Sequence, residues 1–221
     1  MKNIIIYGAS GHAKMIVDII LKNNKYNVVG FIDSYKPINQ DIYGHKIIGN
    51  LDDLPNLIKR YDIQGIVLGI GDNSTRQNVY HRLSKIAITL EFVSIVHPTA
   101  VLANDIIIPQ GTVIMPNVVI NANAKIGEFC ILNTKSSLGH DSTMADFSSL
   151  ASGAIVGGNV KIGLCSAICL SASIIQNITI GDHTIIGAAS LVLNSVGDFK
   201  IAFGSPIDTV SDREANSKYL G

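Results

Sequence analysis

One histidine, His140, lies in the middle of a stretch from Lys125 to Gly163 that is poor in charge and rich in small residues, and Asp141 follows it directly. An imidazole titrates near neutral pH, so it can take a proton from an incoming nucleophile. A neighbouring carboxylate can orient the ring and raise its basicity. The same dipeptide also suits a polar surface turn, because short acidic and amide side chains favour turns. On residue types alone both readings stand. A second chemical signal is "GASGH" (Gly8 to His12), which ends an apolar run and opens an amphipathic one. Glycines there let the backbone approach a ligand, and a helix start presents free N–H groups to an anion. It is not the G-x-G-x-x-G dinucleotide fingerprint, and a plain tight turn explains it equally well. His12 is either a ligand contact or an exposed first-turn residue. Asp33 ends the second apolar run, where an acid commonly meets a ribose or base.

Bulk properties narrow the field. The chain has 221 residues and zero formal net charge, which gives no electrostatic footprint for nucleic acid or an anionic membrane. No apolar run approaches the roughly 20 residues needed to span a bilayer, so no membrane insertion is expected. The apolar part of "MKNIIIYGASG" is too short for a secretory signal, which makes a cytoplasmic location the expectation. Cys130, Cys165 and Cys169 are an odd set in such a chain, and none neighbours a histidine. They read as small packed thiols rather than disulfides.

The elements that must position these residues fall into two blocks. Over residues 1–95 strands ("NIIIYG", "NVVGFID", "GIVLGIG", "LEFVSIV") alternate with helices ("GHAKMIVDIILKNN", a segment near "LDDLPNLIKRY", and "NSTRQNVYHRLSK"). That alternation predicts a Rossmann-like α/β domain with ligands beyond the carboxyl ends of the strands. From Leu102 to Val192 every sixth residue is aliphatic, and the fifth position of the unit is small or β-branched (Cys130, Ser136, Ser142, Ser148). A fixed period this short means a solenoid. Six residues suit a short strand and a turn, so residues 96–197 are predicted to wind into a parallel β-helix. Residues 198–221 are left as a short, polar, helical tail.

Runs such as "IGEFCI", "VGGNVKIG" and "IGDHTIIGAAS" resemble the hexapeptide-repeat acyltransferases. "YGASGHAKMIVDII", "FID", "GIGDNSTR" and "VHPTA" narrow the resemblance to the sugar O-/N-acyltransferases, a family that includes sialic acid O-acetyltransferases and the UDP-4-amino-sugar N-acetyltransferases of bacillosamine synthesis. It covers residues 1 to about 205 and is nearest the bacillosamine type at "VVINANAKIG" and "ILNTKSS". The resemblance implies a left-handed β-helix of three hexads per coil, acetyl-CoA as co-substrate, a UDP-linked amino-sugar as acceptor, and a homotrimer with sites between β-helices. It makes His140 the general base and Asp141 its orienting acid. It assigns Ser10, Gly11 and His12 to the diphosphate or sugar, Asp33 to the uracil or ribose, and Gly71 to the nucleotide. Gly158, Leu170 and Ala188 would line the acetyl-CoA groove. Relatives often carry a second histidine where this sequence has Ser149, near the acetyl group.

Three hexads per coil stack residues 18 apart. Gly158 then lies over His140, with Gly157 beside it, so the ledge above the imidazole carries no side chain and is expected to leave room for a thioester. Asp141 falls in the column Asp105, Asn123, Asn159, Asn177, which preserves the turn reading beside the catalytic one. Rival functions fit less well. A zinc hydratase on such a helix needs three histidines around one metal, whereas His140 and His183 would be separated by about 11 Å of rise, so no metal is expected. A nicotinamide oxidoreductase would leave the repeat unexplained. O-acetylation of sialic acid or another sugar is the alternative chemistry, and a nucleotide-sugar-binding scaffold the non-enzyme alternative.

Overall fold

The structure is a computed structural model that describes residues 1–86 and 89–214. The N-terminal domain contains β1 (Lys2–Tyr7), α1 (Gly11–Asn23), β2 (Tyr26–Ile32), β3 (Asp41–Ile42), β4 (His45–Gly49), α2 (Leu54–Tyr61), β5 (Ile63–Leu68), α3 (Asn73–Ser84) and β6 (Glu91–Phe92). The strands form one sheet in the order β3-β4-β2-β1-β5-β6. All pairings are parallel except β3 with β4. Ile4, Ile5 and Ile6 are each fully buried, as a parallel strand covered on both faces requires. Helix α1 buries Ile16, Val17, Ile19 and Ile20. It stops at Asn24, whose left-handed backbone (φ 51°) turns its N–H back to the Ile20 carbonyl. The strand and helix assignments made from sequence up to Ser84 are all found. The β3–β4 hairpin was not expected, because two strand residues on one arm are too few to show a period.

The stretch "LEFVSIV" differs from its expected single strand. Backbone partners change midway: the Val93 N–H bonds Ile66 of the sheet, and the Ile95 N–H bonds Thr112 of the following domain. Ile95–Val96 therefore begins the second domain.

That domain is a three-faced parallel β-helix. Face 1 stacks Val113–Ile114, Ile131–Leu132, Ser149–Leu150, Ala167–Ile168 and Ile185–Ile186 above Ile95–Val96. Face 2 stacks Val101–Leu102, Val119–Ile120, Ser137–Leu138, Ile155–Val156, Ser173–Ile174 and Leu191–Val192. Face 3 stacks Lys125–Ile126, Thr143–Met144, Lys161–Ile162 and Thr179–Ile180. Each pairing joins residues 18 apart, so three hexads make one coil. The aliphatic column fills the interior: Leu132, Leu138, Leu150, Ile168 and Ile186 have no exposed surface. From Ile108 to Ile186 the chain turns a corner with positive φ three residues beyond each aliphatic one, as at Asn123 (60°), Phe129 (55°), Asp141 (58°) and Asn159 (56°). Buried serine and threonine hydroxyls then satisfy corner carbonyls, as Ser142 does for Gly157 and Ser166 for Gly181. The predicted hexad at Ile108 is not a strand, so face 3 starts one coil late.

Past Val192 the phase shortens by two: Val196 bridges Ile180 and Ile201 pairs with Ile185, each 16 residues away. The expected helical tail is instead an antiparallel hairpin, Lys200–Gly204 with Ile207–Asp212, which continues face 1. The remainder of that tail, residues 215–221, lies outside the described residues. The N-terminal domain docks on the corner between faces 3 and 1. There the Phe129 and Phe147 rings stack at 5.0 Å, and Tyr80 of α3 packs on them at 4.5 and 5.6 Å.

Candidate functional site

His140 and Asp141 occupy the corner between faces 2 and 3. Their side chains are exposed, at 69% and 52%, and the His140 Nδ1 lies 2.7 Å from Asp141 Oδ2. An ionised carboxylate only accepts hydrogen bonds, so Nδ1 carries the proton and the Nε2 of a neutral ring keeps its lone pair. The donated bond from His140 comes first, and one from Asn123 second, in holding the Asp141 carboxyl below the usual carboxylate range. Asp141 also fills the turn role: its backbone is left-handed and its Oδ1 accepts from Asn123 Nδ2 at 3.3 Å. The turn and orienting readings describe two oxygens of one side chain.

The bare ledge is not empty. A Cβ built on Gly158 would sit 2.5 Å from His140 Nε2 and 2.6 Å from Cε1. The imidazole thus folds onto Gly158 itself, and the glycine makes room for the ring rather than for a thioester directly above it. Among the described residues the Gly158 N–H meets no acceptor. A ligand approaching from the open side therefore meets an imidazole and an N–H donor together.

Two cavities gather the site residues predicted in the N-terminal domain. One of about 340 Å³ lies beyond the carboxyl ends of β1, β2 and β5, and Ser10, Asp33 and Gly71 line it with Tyr7, Tyr35 and Arg82. The start of α1 faces this region. Ser10 occupies the cap position but donates its hydroxyl to the Gly69 carbonyl instead of capping, which leaves the first-turn N–H groups for an anion. Nothing lies within 4 Å of a Cβ built on Gly11. The Asp33 carboxylate is largely engaged already: it accepts from the N–H groups of Ala9, Tyr35 and Lys36 at 2.9, 2.9 and 3.1 Å. It ties the glycine turn to the loop after β2, a role not foreseen from sequence.

The second cavity, about 450 Å³, opens between α1 and face 1. His12, Gly71, Ser149, Leu170 and Ala188 line it, with Asn133 and Cys169. It gathers sequence-predicted residues from both domains. The His12 ring is part-exposed, yet its Nε2 is sealed from water without a hydrogen-bond partner. Burial first, and the Arg76 charge second, push its pKa down to about 3. That shift favours the neutral imidazole; His12 lines the groove, with its unpaired nitrogen turned into the protein. Gly158 is not in the groove; it stays with His140 on the far side of face 2. The sequence-predicted residues of the β-helix therefore fall in two separate places on one chain. Asn133 and Cys169 were missed because their place in the groove follows from the docking of two domains, which the hexad phase does not report; Tyr35 and Arg82 lie in the loop after β2 and late in α3, where no motif marks them. No group of His, Cys, Asp and Glu able to hold a metal occurs among the described residues. No described helix is long and apolar enough to cross a membrane.

The two-domain architecture is a Rossmann-like α/β domain fused to a hexapeptide β-helix. Residues 3–83 match the family described as the PglD N-terminal domain. A histidine mutant of perosamine N-acetyltransferase from Caulobacter crescentus, in complex with CoA and GDP-perosamine, superposes with a TM-score of 0.89 at 26% identity, over 96% of this chain and 97% of that one. The acetyltransferase domain of PglB from Neisseria gonorrhoeae, in complex with acetyl coenzyme A, shares the fold at a TM-score of 0.85 and 24% identity, over 94% and 98%. An uncharacterized protein of Acanthamoeba polyphaga mimivirus is 30% identical over 124 residues, 56% of this chain, which spans only 23% of that relative's length. The β-helix is left-handed, as in these acetyltransferases. Over nearly its whole length the chain is similar to hexapeptide-repeat sugar N-acetyltransferases.

Proposed function

We propose that the protein is an acetyl-CoA-dependent acetyltransferase that acylates the 4-amino group of a nucleotide-linked sugar. The observation that carries this reading is the His140–Asp141 pair, with a free Nε2 resting over the backbone of Gly158. The neutral sugar amine attacks the thioester carbonyl, and His140 Nε2 accepts the amine proton as the C–N bond forms. The Gly158 N–H donates to the developing oxyanion, and the C–S bond then breaks to release CoA thiolate. A positioned base and a backbone donor are the two groups direct acyl transfer needs. No covalent enzyme intermediate is required.

The nucleotide would sit in the 340 Å³ cavity with its diphosphate at the start of α1, and acetyl-CoA along the groove of Ser149, Leu170 and Ala188. The two halves within one chain support a homotrimer: the His140 corner of one copy would close the face 1 groove of the next. Face 2, between the halves, exposes Val101 and Ile155 at 62% and 55%, an apolar stripe that a second copy would cover. UDP is the proposed base on the bacillosamine-type resemblance, and the Caulobacter relative's complex with GDP-perosamine makes GDP the competing reading. Mixing the protein with acetyl-CoA and a UDP- or GDP-linked 4-amino-sugar, and following thiol release, tests the activity and chooses the base. Thiol release no faster than acetyl-CoA hydrolysis with every amino-sugar, and with sialic acid, would overturn it. Light scattering at about 71 kDa, three times the 23.6 kDa chain, is expected; a fully active monomer would remove the shared site.

A further inference from the structure

Arg76 on α3 is 1% exposed and is the largest fully buried side chain among the described residues. Its five N–H groups all find acceptors. Nε donates to the Phe129 carbonyl at 2.9 Å and Nη2 to the Phe147 carbonyl at 2.9 Å. Nη1 donates to the carbonyls of Ile70 and Gly71 at 3.1 and 3.0 Å, and Nη2 also to Asn73 Oδ1 at 2.8 Å. Phe129 and Phe147 are equivalent corner residues of successive coils. Asn73 extends the series to the next coil by donating to the Cys165 and Ser166 carbonyls at 3.3 and 3.1 Å. One edge of α3 thus reads three consecutive coils, and the same guanidinium holds the loop after β5. Gly71 in that loop lines both the nucleotide cavity and the groove.

We propose that Arg76 is a positioning residue that locks the nucleotide pocket in register with the acyl groove of the β-helix. A β-helix corner repeats its carbonyls every coil, so polar contacts alone would tolerate a slip of one coil, about 4.8 Å. The aromatic pair breaks that degeneracy: one coil below Phe129 stands Gly111, where a Cβ would meet the Phe129 ring at 2.2 Å, and one coil above Phe147 stands Cys165. The rings choose the coil and the planar guanidinium fixes the angle and height of the Gly71 loop. Arginine suits this where lysine does not, because its donors are splayed in one rigid plane. A bound sugar hangs from the nucleotide pocket while its amine must reach a thioester held by the β-helix. Misplacement by about 1 Å is enough to slow transfer by about 100-fold.

The catalytic consequence rests on the acetyltransferase reading, but the lock itself does not. R76M and R76K are compared with the unaltered protein by amide hydrogen exchange, by calorimetry with UDP or GDP alone, and by steady-state kinetics. In R76M, exchange in residues 69–76 should quicken at least about tenfold, while amides of residues 150–190 keep their protection. Nucleotide affinity should stay within about threefold, because its cavity is built from the N-terminal domain alone. The kcat with the nucleotide-sugar should fall about tenfold or more, with KM for acetyl-CoA within about threefold. R76K should behave like R76M. A merely structural role would lower the melting temperature and leave kcat of the folded enzyme unchanged. Unchanged exchange and kcat within twofold in folded R76M would overturn the proposal. If R76M does not fold, N73A, which removes the bonds to Cys165 and Ser166 and one acceptor of the Arg76 guanidinium, should show the same pattern at smaller size, and wild-type values there would overturn it as well. An unaltered protein that transfers no acetyl group would refute the enzymatic reading and leave the exchange result to decide the lock.

Discussion

Gly158→Ala separates chemistry from fold at the proposed centre. The new methyl carbon would lie 2.5 Å from His140 Nε2, 2.6 Å from Cε1 and 3.0 Å from Cδ2, and the three nearest atoms all belong to that one ring. A normal carbon–nitrogen contact is about 3.5 Å, so the ring must withdraw by about 1 Å. It can do so cheaply, since the imidazole is largely solvent-exposed and the φ of Gly158 is not in the left-handed region. Stability should change by less than about 1 kcal/mol, whereas 1 Å at the proposed base costs about 100-fold in rate, or about 2.7 kcal/mol of transition-state stabilisation. The contrasting change is Gly139→Ala, whose Cβ would meet the Gly157 carbonyl oxygen at 2.2 Å. Backbone cannot step aside there, so that variant should lose stability or fail to fold. Thiol-release kinetics and urea titration on both proteins decide the matter. Gly158→Ala with kcat within twofold of the unaltered enzyme would refute the placement of His140 as base.

His140→Ala should lower kcat by about 100-fold or more while calorimetry finds acetyl-CoA affinity nearly intact; near-normal turnover would free His140 of its role. Phe147→Ala should destabilise by about 3–5 kcal/mol in urea titration, since it removes a buried ring that stacks on Phe129 and supports Tyr80. Burial raises all three thiols, Cys130 to about 11 and Cys165 to about 12, but only Cys169 is part-exposed, so an aromatic disulfide reagent at pH 8 should label native protein slowly and at Cys169 alone, before any denaturant; rapid labelling of all three would contradict the packing. His12 is neutral in the folded state down to about pH 3, while the unfolded chain takes up a proton near pH 6.5. The unfolded state therefore binds more protons between those values, and stability should fall by about 1 kcal/mol per pH unit below 6.5 from this group. His12→Gln should lose that slope in melts recorded from pH 7 to 4.5.

The hexad period made the β-helix and its 18-residue coil legible in the sequence, because a column of aliphatic residues at positions such as Ile126, Leu132 and Leu138 has no other way to be buried together. The same phase placed Gly158 against His140 correctly. It did not reveal that the ring itself would occupy the space, since ring orientation depends on the Asp141 bond rather than on stacking order. Gathering His12 and Gly71 with Ser149, Leu170 and Ala188 required the docking of one domain on the other. That docking rests on Arg76, Asn73 and Tyr80; the first two fall in the "GIGDNSTR" run that carries the resemblance, but nothing in the run says what their side chains bind. The partner switch at Ser94 left no trace either, because "FVSIV" is equally apolar on both sides of it.

The hairpin at the carboxyl end of face 1 has a consequence for solubility. A stack of parallel coils ends in a row of open amides and carbonyls onto which another molecule could add, coil upon coil, into a fibre. Lys200–Gly204 takes the last open edge of that face and Ile207–Asp212 turns it antiparallel, presenting the carboxylates of Asp208 and Asp212 to water. A chain cut short before Lys200 would keep its coils but lose this plug, and its fate should be filaments rather than unfolding.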